Sequence, residues 1–142
     1  MKQGFVKVAA ASCAVAVADV RENTRVILET IHKMEDEGAK VMVLPELALT
    51  GYTCSDLFWQ SQMIDAAKEG LKEIADGTKG TDALIFVGLP WEQGGKLFNV
   101  AAVLCHGELL GVVPKKYLPN YNEFYELRHF TPGKEAVTTT EF

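Results

Sequence analysis

Several features that define large classes of proteins are scarce or missing in this sequence of 142 residues. Its only cysteines, Cys13, Cys54 and Cys105, cannot all pair and lack the C-x-x-C or C-x-x-H spacing of a zinc site. The net charge is −5 and only Lys115 and Lys116 form a basic pair, which argues against a nucleic-acid partner. No apolar run approaches the roughly 18 residues of a membrane span. We therefore expect three free thiols in a cytoplasmic protein without a metal site.

The remaining composition, 48% hydrophobic and 23% charged residues, is typical of one globular domain with a real core. The apolar periodicity predicts the order β-α-β-α-β followed by a β-hairpin, which indicates an α/β layered domain. The short apolar strand 40–44 suits a sheet that is buried on both faces. The final stretch, KEAVTTTEF, is strand-like but has no closing element, so we expect the chain to stop within a domain. The predicted elements are strand 6–11, helix 22–37 closed by Gly38, strand 40–44, helix 60–75 ending at Gly77, strand 83–90, and two strands within 97–115 that turn at His106 and Gly107.

An unusual carboxylate follows one of the predicted strands. The stretch VMVLPELALTGY runs from an apolar strand through Pro45 directly into Glu46. A charged group beside an apolar strand costs several kcal/mol unless it is paired. Glu46 is therefore either a solvated turn residue or a functional group.

A second strand ends in the same way. The stretch LLGVVPK places Lys115 directly after Pro114. Functional residues in open α/β sheets gather beyond the carboxyl ends of strands, so Glu46 and Lys115 are expected to face one cleft. An ordinary salt bridge between them would need no function.

These motifs resemble those of the nitrilase, or carbon–nitrogen hydrolase, superfamily. VMVLPELALTGY is similar to its catalytic-glutamate motif, and VVPKKYLPNYNEFYE is similar to its catalytic-lysine motif. LPNYNEFYELRHF most resembles the glutamine-hydrolysing domains of glutamine-dependent NAD synthetases. The resemblance covers most of the chain and implies a nitrilase-like α-β-β-α sandwich, of which residues 1–142 would be an N-terminal portion.

The resemblance also implies roles for charged residues. Glu46 would be the general base, and Lys115 would stabilise the tetrahedral intermediate. Glu123, eight residues further on, would support the lysine. Lys116 is the competitor of Lys115, and we interpret it as a flanking residue because the family's lysine precedes the leucine, here Leu118, by three positions.

Three aromatic residues match positions that line a glutamine pocket in the same family. They are Tyr52, Tyr121 and Phe124. The alternative is that they are aromatic residues of the core.

The family's nucleophile is a cysteine that follows the lysine, and none of the three cysteines here does so. We interpret all three as structural and expect the nucleophile beyond Phe142, so that this chain alone would be inactive. The resemblance implies glutamine as substrate, a synthetase domain of the same chain that uses ATP and Mg²⁺, no cofactor in this portion, and a homo-oligomer. The alternatives are a stand-alone amidase or nitrilase and a non-catalytic interaction module with the same fold.

Overall fold

The computed structural model describes residues 4–133, so the predicted strand-like stretch at 134–142 lies outside the described residues. The elements are β1 (Val8–Ala10), α1 (Val20–Asp36), β2 (Val41–Val43), a 3₁₀ helix (Ser55–Trp59), α2 (Ser61–Gly77), β3 (Leu84–Gln93), β4 (Lys96–Cys105), β5 (Glu108–Pro114) and α3 (Glu126–His129). The predicted order and most boundaries agree with these elements to within a few residues.

Helix α1 shows how the local sequence sets its ends. The Asp19 carboxylate accepts a hydrogen bond from the backbone N–H of Glu22 at 3.1 Å, which caps the first turn and starts the helix at Val20. Gly38 has φ +82°, and its N–H donates to the carbonyl oxygen of Glu35 at 2.7 Å. The predicted closure of this helix by Gly38 is confirmed.

The five strands form one mixed sheet in the order β1-β2-β3-β4-β5. The first three strands are parallel, whereas β3-β4 and β4-β5 are antiparallel. The predicted turn at His106 and Gly107 joins β4 to β5. The sequence does not predict the second hairpin, between β3 and β4, because Pro90 indicates the end of a strand. Pro90 instead lies inside the ladder opposite Asn99, and the chain turns at two glycines with positive φ, Gly94 and Gly95.

Helices α1 and α2 pack on each other and cover one face of the sheet, as their buried residues Ile27, Ile31, Leu71 and Ile74 show. Among the described residues, strand 40–44 is not buried on both faces as predicted, because Val43 is 44% exposed. Within residues 4–133, no element covers the second face. Its exposed apolar side chains include Val8, Val43, Leu84 and Val113.

A glycine of β3 allows the chain after β2 to cross the sheet closely. A Cβ atom at Gly88 would lie 2.5 Å from both the carbonyl oxygen of Pro45 and the backbone nitrogen of Leu47. The Leu49 N–H also donates to the Gly88 carbonyl oxygen at 3.2 Å. The absence of a side chain at Gly88 therefore determines where the backbone around Glu46 lies.

We predict that Gly88→Ala lowers the free energy of unfolding by at least about 2 kcal/mol, because backbone atoms must move to admit the methyl group. Gly111→Ala in β5 is the matched control, since its Cβ would meet nothing within 4 Å. The control is expected to change stability by less than about 0.5 kcal/mol. Urea unfolding followed by circular dichroism measures both. Equal stability of the two variants would contradict the close crossing at Gly88.

Candidate active site

Glu46 leaves the sheet on a tight, strained turn. Pro45 follows strand β2, and Leu47, the residue after Glu46, has φ +51° although it is fully buried. A non-glycine residue in this left-handed conformation costs about 1–3 kcal/mol and persists only where surrounding contacts hold it. Here the N–H groups of Thr50 and Gly51 both donate to the Leu47 carbonyl oxygen, at 3.1 and 2.7 Å. The turn thus fixes the direction in which Glu46 points.

Lys115 meets Glu46 at the same edge of the sheet. Strand β5 runs in the same direction as β2, so the carboxyl ends of the two strands lie at the same edge of the sheet. Glu46 and Lys115 follow these two ends. The Lys115 ammonium donates to Glu46 Oε1 at 2.7 Å. The predicted convergence of Glu46 and Lys115 is confirmed.

A second carboxylate, that of Glu126, completes the environment of the lysine. Lys115 Nζ donates to Glu126 Oε1 at 2.9 Å, and the Tyr52 hydroxyl donates to the same oxygen at 2.9 Å. Glu126 is only 4% exposed, and its other oxygen, Oε2, is buried without a hydrogen-bond partner among the described residues. The charge of Glu126 is therefore compensated through one oxygen by one cation and one hydroxyl.

The resemblance implies that Glu123 supports the lysine, but the structure brings Glu126 beside it instead. Glu123 is exposed and lies near Tyr52, on the wall of a cavity of about 420 Å³. The segment after Pro119 forms a loop and then the single turn α3, and this path turns Glu126 inward.

Asn99 was not predicted, although its position in the sequence offers a signal. It is an amide within the apolar strand LFNVAAVL, and it is 3% exposed. A buried polar side chain in a strand needs a partner, and the Asn99 amide donates to Glu46 Oε1. Glu46 Oε1 thus accepts hydrogen bonds from two donors, Asn99 and Lys115.

The site shifts the ionisation of two of its groups. Burial lowers the pKa of Lys115, but its hydrogen bonds to Glu46 and Glu126 outweigh burial, and the net pKa lies above the usual lysine value. Burial and the hydrogen bond to the Glu126 carboxylate raise the pKa of Tyr52. At neutral pH the site therefore contains an ammonium and a neutral phenol.

The three aromatic residues predicted for the pocket lie together. The ring of Phe124 contacts Tyr52 edge-on at a centroid distance of 6.4 Å and Tyr121 at 5.7 Å. Tyr52 lines the 420 Å³ cavity with Glu123 and Glu126, whereas Tyr121 is 64% exposed. These rings are not a closed core cluster, and their part in substrate binding stays a prediction.

A second cavity, of about 530 Å³, lies next to the ion pair of Glu46 and Lys115. Its polar lining consists of Glu46, Asn99 and Lys115, and the rest of the wall is largely apolar. This volume is in the usual range of small-molecule sites, about 300–1,000 Å³. Polar groups that converge at one end of an apolar cavity suit the binding of a small substrate.

All three cysteines are free thiols, as predicted, and none of them has a hydrogen bond to Glu46 or Lys115 in the described part of the chain. The Cys54 thiol is buried and donates to the carbonyl oxygen of Thr50 at 3.1 Å. Burial raises the pKa of Cys54, which disfavours the reactive thiolate. These observations support a structural role for Cys54.

Residues 4–133 contain no group of three or more His, Cys, Asp or Glu side chains arranged to bind a metal ion. Among the helices described, none has the length and apolar character needed to cross a membrane.

Residues 7–142 match the sequence profile of the carbon-nitrogen hydrolase family. The chain is 36% identical over 132 residues to the glutamine-dependent NAD(+) synthetase of Mycobacterium tuberculosis H37Rv, which covers 93% of this chain and 19% of that protein. The crystal structure of a glutamine-dependent NAD(+) synthetase from Cytophaga hutchinsonii superposes with a TM-score of 0.90 at 30% identity, over 96% of this chain and 23% of that one. A variant of the Nesterenkonia sp. AN1 amidase, with acrylamide added at its active-site cysteine, has the same fold at 23% identity, with a TM-score of 0.77 over 97% of this chain and 54% of the amidase. The chain thus spans about a fifth of the length of the synthetases that it matches.

We predict that Lys115→Met lowers the free energy of unfolding by about 3 kcal/mol, because it leaves the buried carboxylate of Glu126 without its cation. Lys116→Met is the matched control. Lys116 is exposed, and its ammonium lies over the ring of Tyr117 at 5.4 Å. We expect the control to change stability by less than about 0.5 kcal/mol in urea unfolding at pH 7. A larger loss from Lys116→Met would mean that the two lysines have been assigned in the wrong order.

Proposed function

From the premise that this chain belongs to the carbon-nitrogen hydrolase family, we propose that it is the glutamine-hydrolysing part of a glutamine-dependent NAD synthetase. The observation that carries the proposal is the contact of one lysine with two carboxylates, Glu46 and Glu126, at the carboxyl edge of the sheet. The similarity to NAD synthetases over more than nine-tenths of the chain supports the choice of glutamine among possible amides. Residues 1–142 would then be the N-terminal portion of that domain.

Amide hydrolysis needs a nucleophile, a base and a stabiliser of the oxyanion. In our proposal, Glu46 takes the proton from a cysteine thiol supplied by another part of the protein, and the thiolate attacks the amide carbon of glutamine. The carbonyl oxygen becomes an oxyanion, which the Lys115 ammonium stabilises. The C–N bond then breaks, ammonia leaves with the proton held by Glu46, and a thioester remains.

The second half of the cycle uses the same base. Glu46 takes a proton from water, the water oxygen attacks the thioester, and the products are glutamate and the free thiol. Lys115 again faces the oxyanion, and its raised pKa keeps it charged throughout. Glu126 and Tyr52 do not exchange protons in this scheme. Their role is to hold the lysine in place.

In the full-length protein, the released ammonia would amidate deamido-NAD in a separate domain. ATP and Mg²⁺ would bind in that separate domain. The three free thiols support a cytoplasmic location.

We predict that a polypeptide containing this chain and the nucleophile cysteine releases ammonia from glutamine, whereas the 142-residue chain alone does not. Glu46→Gln should lower kcat about 100- to 10,000-fold because the base is lost. Lys115→Ala should lower it about 100- to 1,000-fold because the oxyanion loses its stabiliser. An enzyme-coupled assay of ammonia measures these rates.

Two control variants make the assignment specific. Lys116→Ala and Cys54→Ser should keep activity within about twofold, because neither side chain reaches the site. Loss of activity in Cys54→Ser would make Cys54 the nucleophile and overturn the proposal. NAD formation driven by ammonia, unaffected by Glu46→Gln, would distinguish the synthetase from a stand-alone amidase.

We further predict that the 142-residue chain forms a dimer or larger oligomer, because the open face of the sheet exposes apolar side chains outside the second cavity, including Val8 and Leu84. Light scattering at micromolar concentration measures the mass. A monomer would contradict this prediction and leave the catalytic proposal untouched.

A further inference from the structure

Helix α3 carries Glu126 but cannot fix its own position. It has four residues, Glu126–His129, and one complete i to i+4 backbone hydrogen bond, from the Phe130 N–H to the Glu126 carbonyl oxygen at 2.8 Å. A single turn of helix is unstable by itself in water. Contacts with other parts of the fold must therefore hold Glu126 at its 2.9 Å distance from Lys115.

The 3₁₀ helix supplies the most directional of these contacts through Asp56. The Arg128 guanidinium donates from Nε to Asp56 Oδ1 at 2.9 Å and from Nη2 to Oδ2 at 3.2 Å. His129 Nε2 lies 3.2 Å from Oδ1 of the same carboxylate. Hydrogen bonds from Arg128 and His129 lower the pKa of Asp56 to about 2, so Asp56 is ionised at neutral pH.

Aromatic packing beside the Asp56–Arg128 ion pair joins the 3₁₀ helix to α3 and restricts their relative movement. Phe58 of the 3₁₀ helix and Phe130 after α3 are both buried, and their ring centroids are 4.9 Å apart. The His129 ring, with only 8% of its side chain exposed, lies 5.6 Å from the ring of Phe58 and 5.6 Å from that of Trp59. Isolated exposed ion pairs contribute little, but a two-point Arg–carboxylate contact within a network is the exception.

We propose that Asp56 and Arg128 form a positioning clamp that holds Glu126 against Lys115 during amide hydrolysis. The inference rests on the proposed function above. Glu126 and Arg128 are two residues apart on one turn, so Glu126 points to the lysine while Arg128 points to Asp56. A shift of the turn by about 1 Å would break the contact of Glu126 with Lys115, and a displacement of that size can lower a rate about 100-fold.

The test uses the full-length protein with glutamine as substrate. Arg128→Gln and Asp56→Asn should each lower kcat about tenfold while KM stays within about twofold, because the lysine rather than the substrate is displaced. Arg128→Lys keeps the charge but loses the two-point contact, and it should lower kcat about threefold. It also tests the clamp if Arg128→Gln does not fold.

Arg25→Gln is the matched control. Arg25 makes a similar two-point contact with Glu22 on α1, with side chains 55% and 45% exposed, compared with 62% and 60% for Arg128 and Asp56. It has no contact with the site in the described residues, so kcat should be unchanged.

A second arm separates positioning from general stability. If the clamp acts through Glu126, then Arg128→Gln should have no further effect on kcat when Glu126→Gln is already present. An equal loss of kcat in both backgrounds would overturn the clamp, and so would Arg128 variants as active as Arg25→Gln. A wild-type protein that does not hydrolyse glutamine would overturn the proposed function together with the clamp.

Discussion

The buried carboxylate of Glu126 is the constraint on which the rest of the site depends. A carboxylate that is 4% exposed costs several kcal/mol unless it is compensated, and here one oxygen accepts from both Lys115 and Tyr52. Those donors come from the end of β5 and from the loop after Glu46. Lys115 lies 11 residues before Glu126 and Tyr52 lies 74 residues before it, so the folded chain can bury Glu126 only by bringing the Tyr52 loop to the end of β5. The same contacts place Lys115 2.7 Å from Glu46, and thus assemble the candidate site.

The sheet makes this assembly possible by its strand directions. Strands β2 and β5 run the same way, but two strands lie between them. Glu46 lies closer to β5 than β2 does, because the backbone of its turn crosses β3 directly over Gly88. Gly88 has no side chain that would clash with this backbone. The side-chain amide of Asn99, on β4, then donates a hydrogen bond to Glu46. The carbonyl oxygen of Asn99 accepts a hydrogen bond from the backbone N–H of Lys115 at 2.8 Å. The order of the strands alone would leave the two charged groups too far apart.

The sequence predicts the parts of the site that depend on local pattern. Glu46 and Lys115 each follow an apolar strand and a proline, and this pattern can be recognised in the sequence without any information on tertiary contacts. Choosing Glu126 over Glu123 requires the register of a single helical turn, which is set by contacts with distant residues such as Asp56. The β3–β4 hairpin was missed for a related reason: Pro90 disfavours a strand locally, but pairing along the whole ladder outweighs that cost.

The two carboxylates beside Lys115 differ in the hydrogen bonding and the exposure of their second oxygen. Glu46 Oε1 is held by Asn99 and Lys115, while its Oε2 has no hydrogen bond within residues 4–133 and the side chain is 42% exposed. One oxygen is thus fixed and the other can accept a proton from an incoming group, as a general base requires. Glu126 also has one oxygen fixed, but its Oε2 is buried and closed to reactants. Environment separates the roles of neighbouring carboxylates, and these differences support our proposal that Glu46 is the base and that Glu126 positions the lysine and helps to raise its pKa.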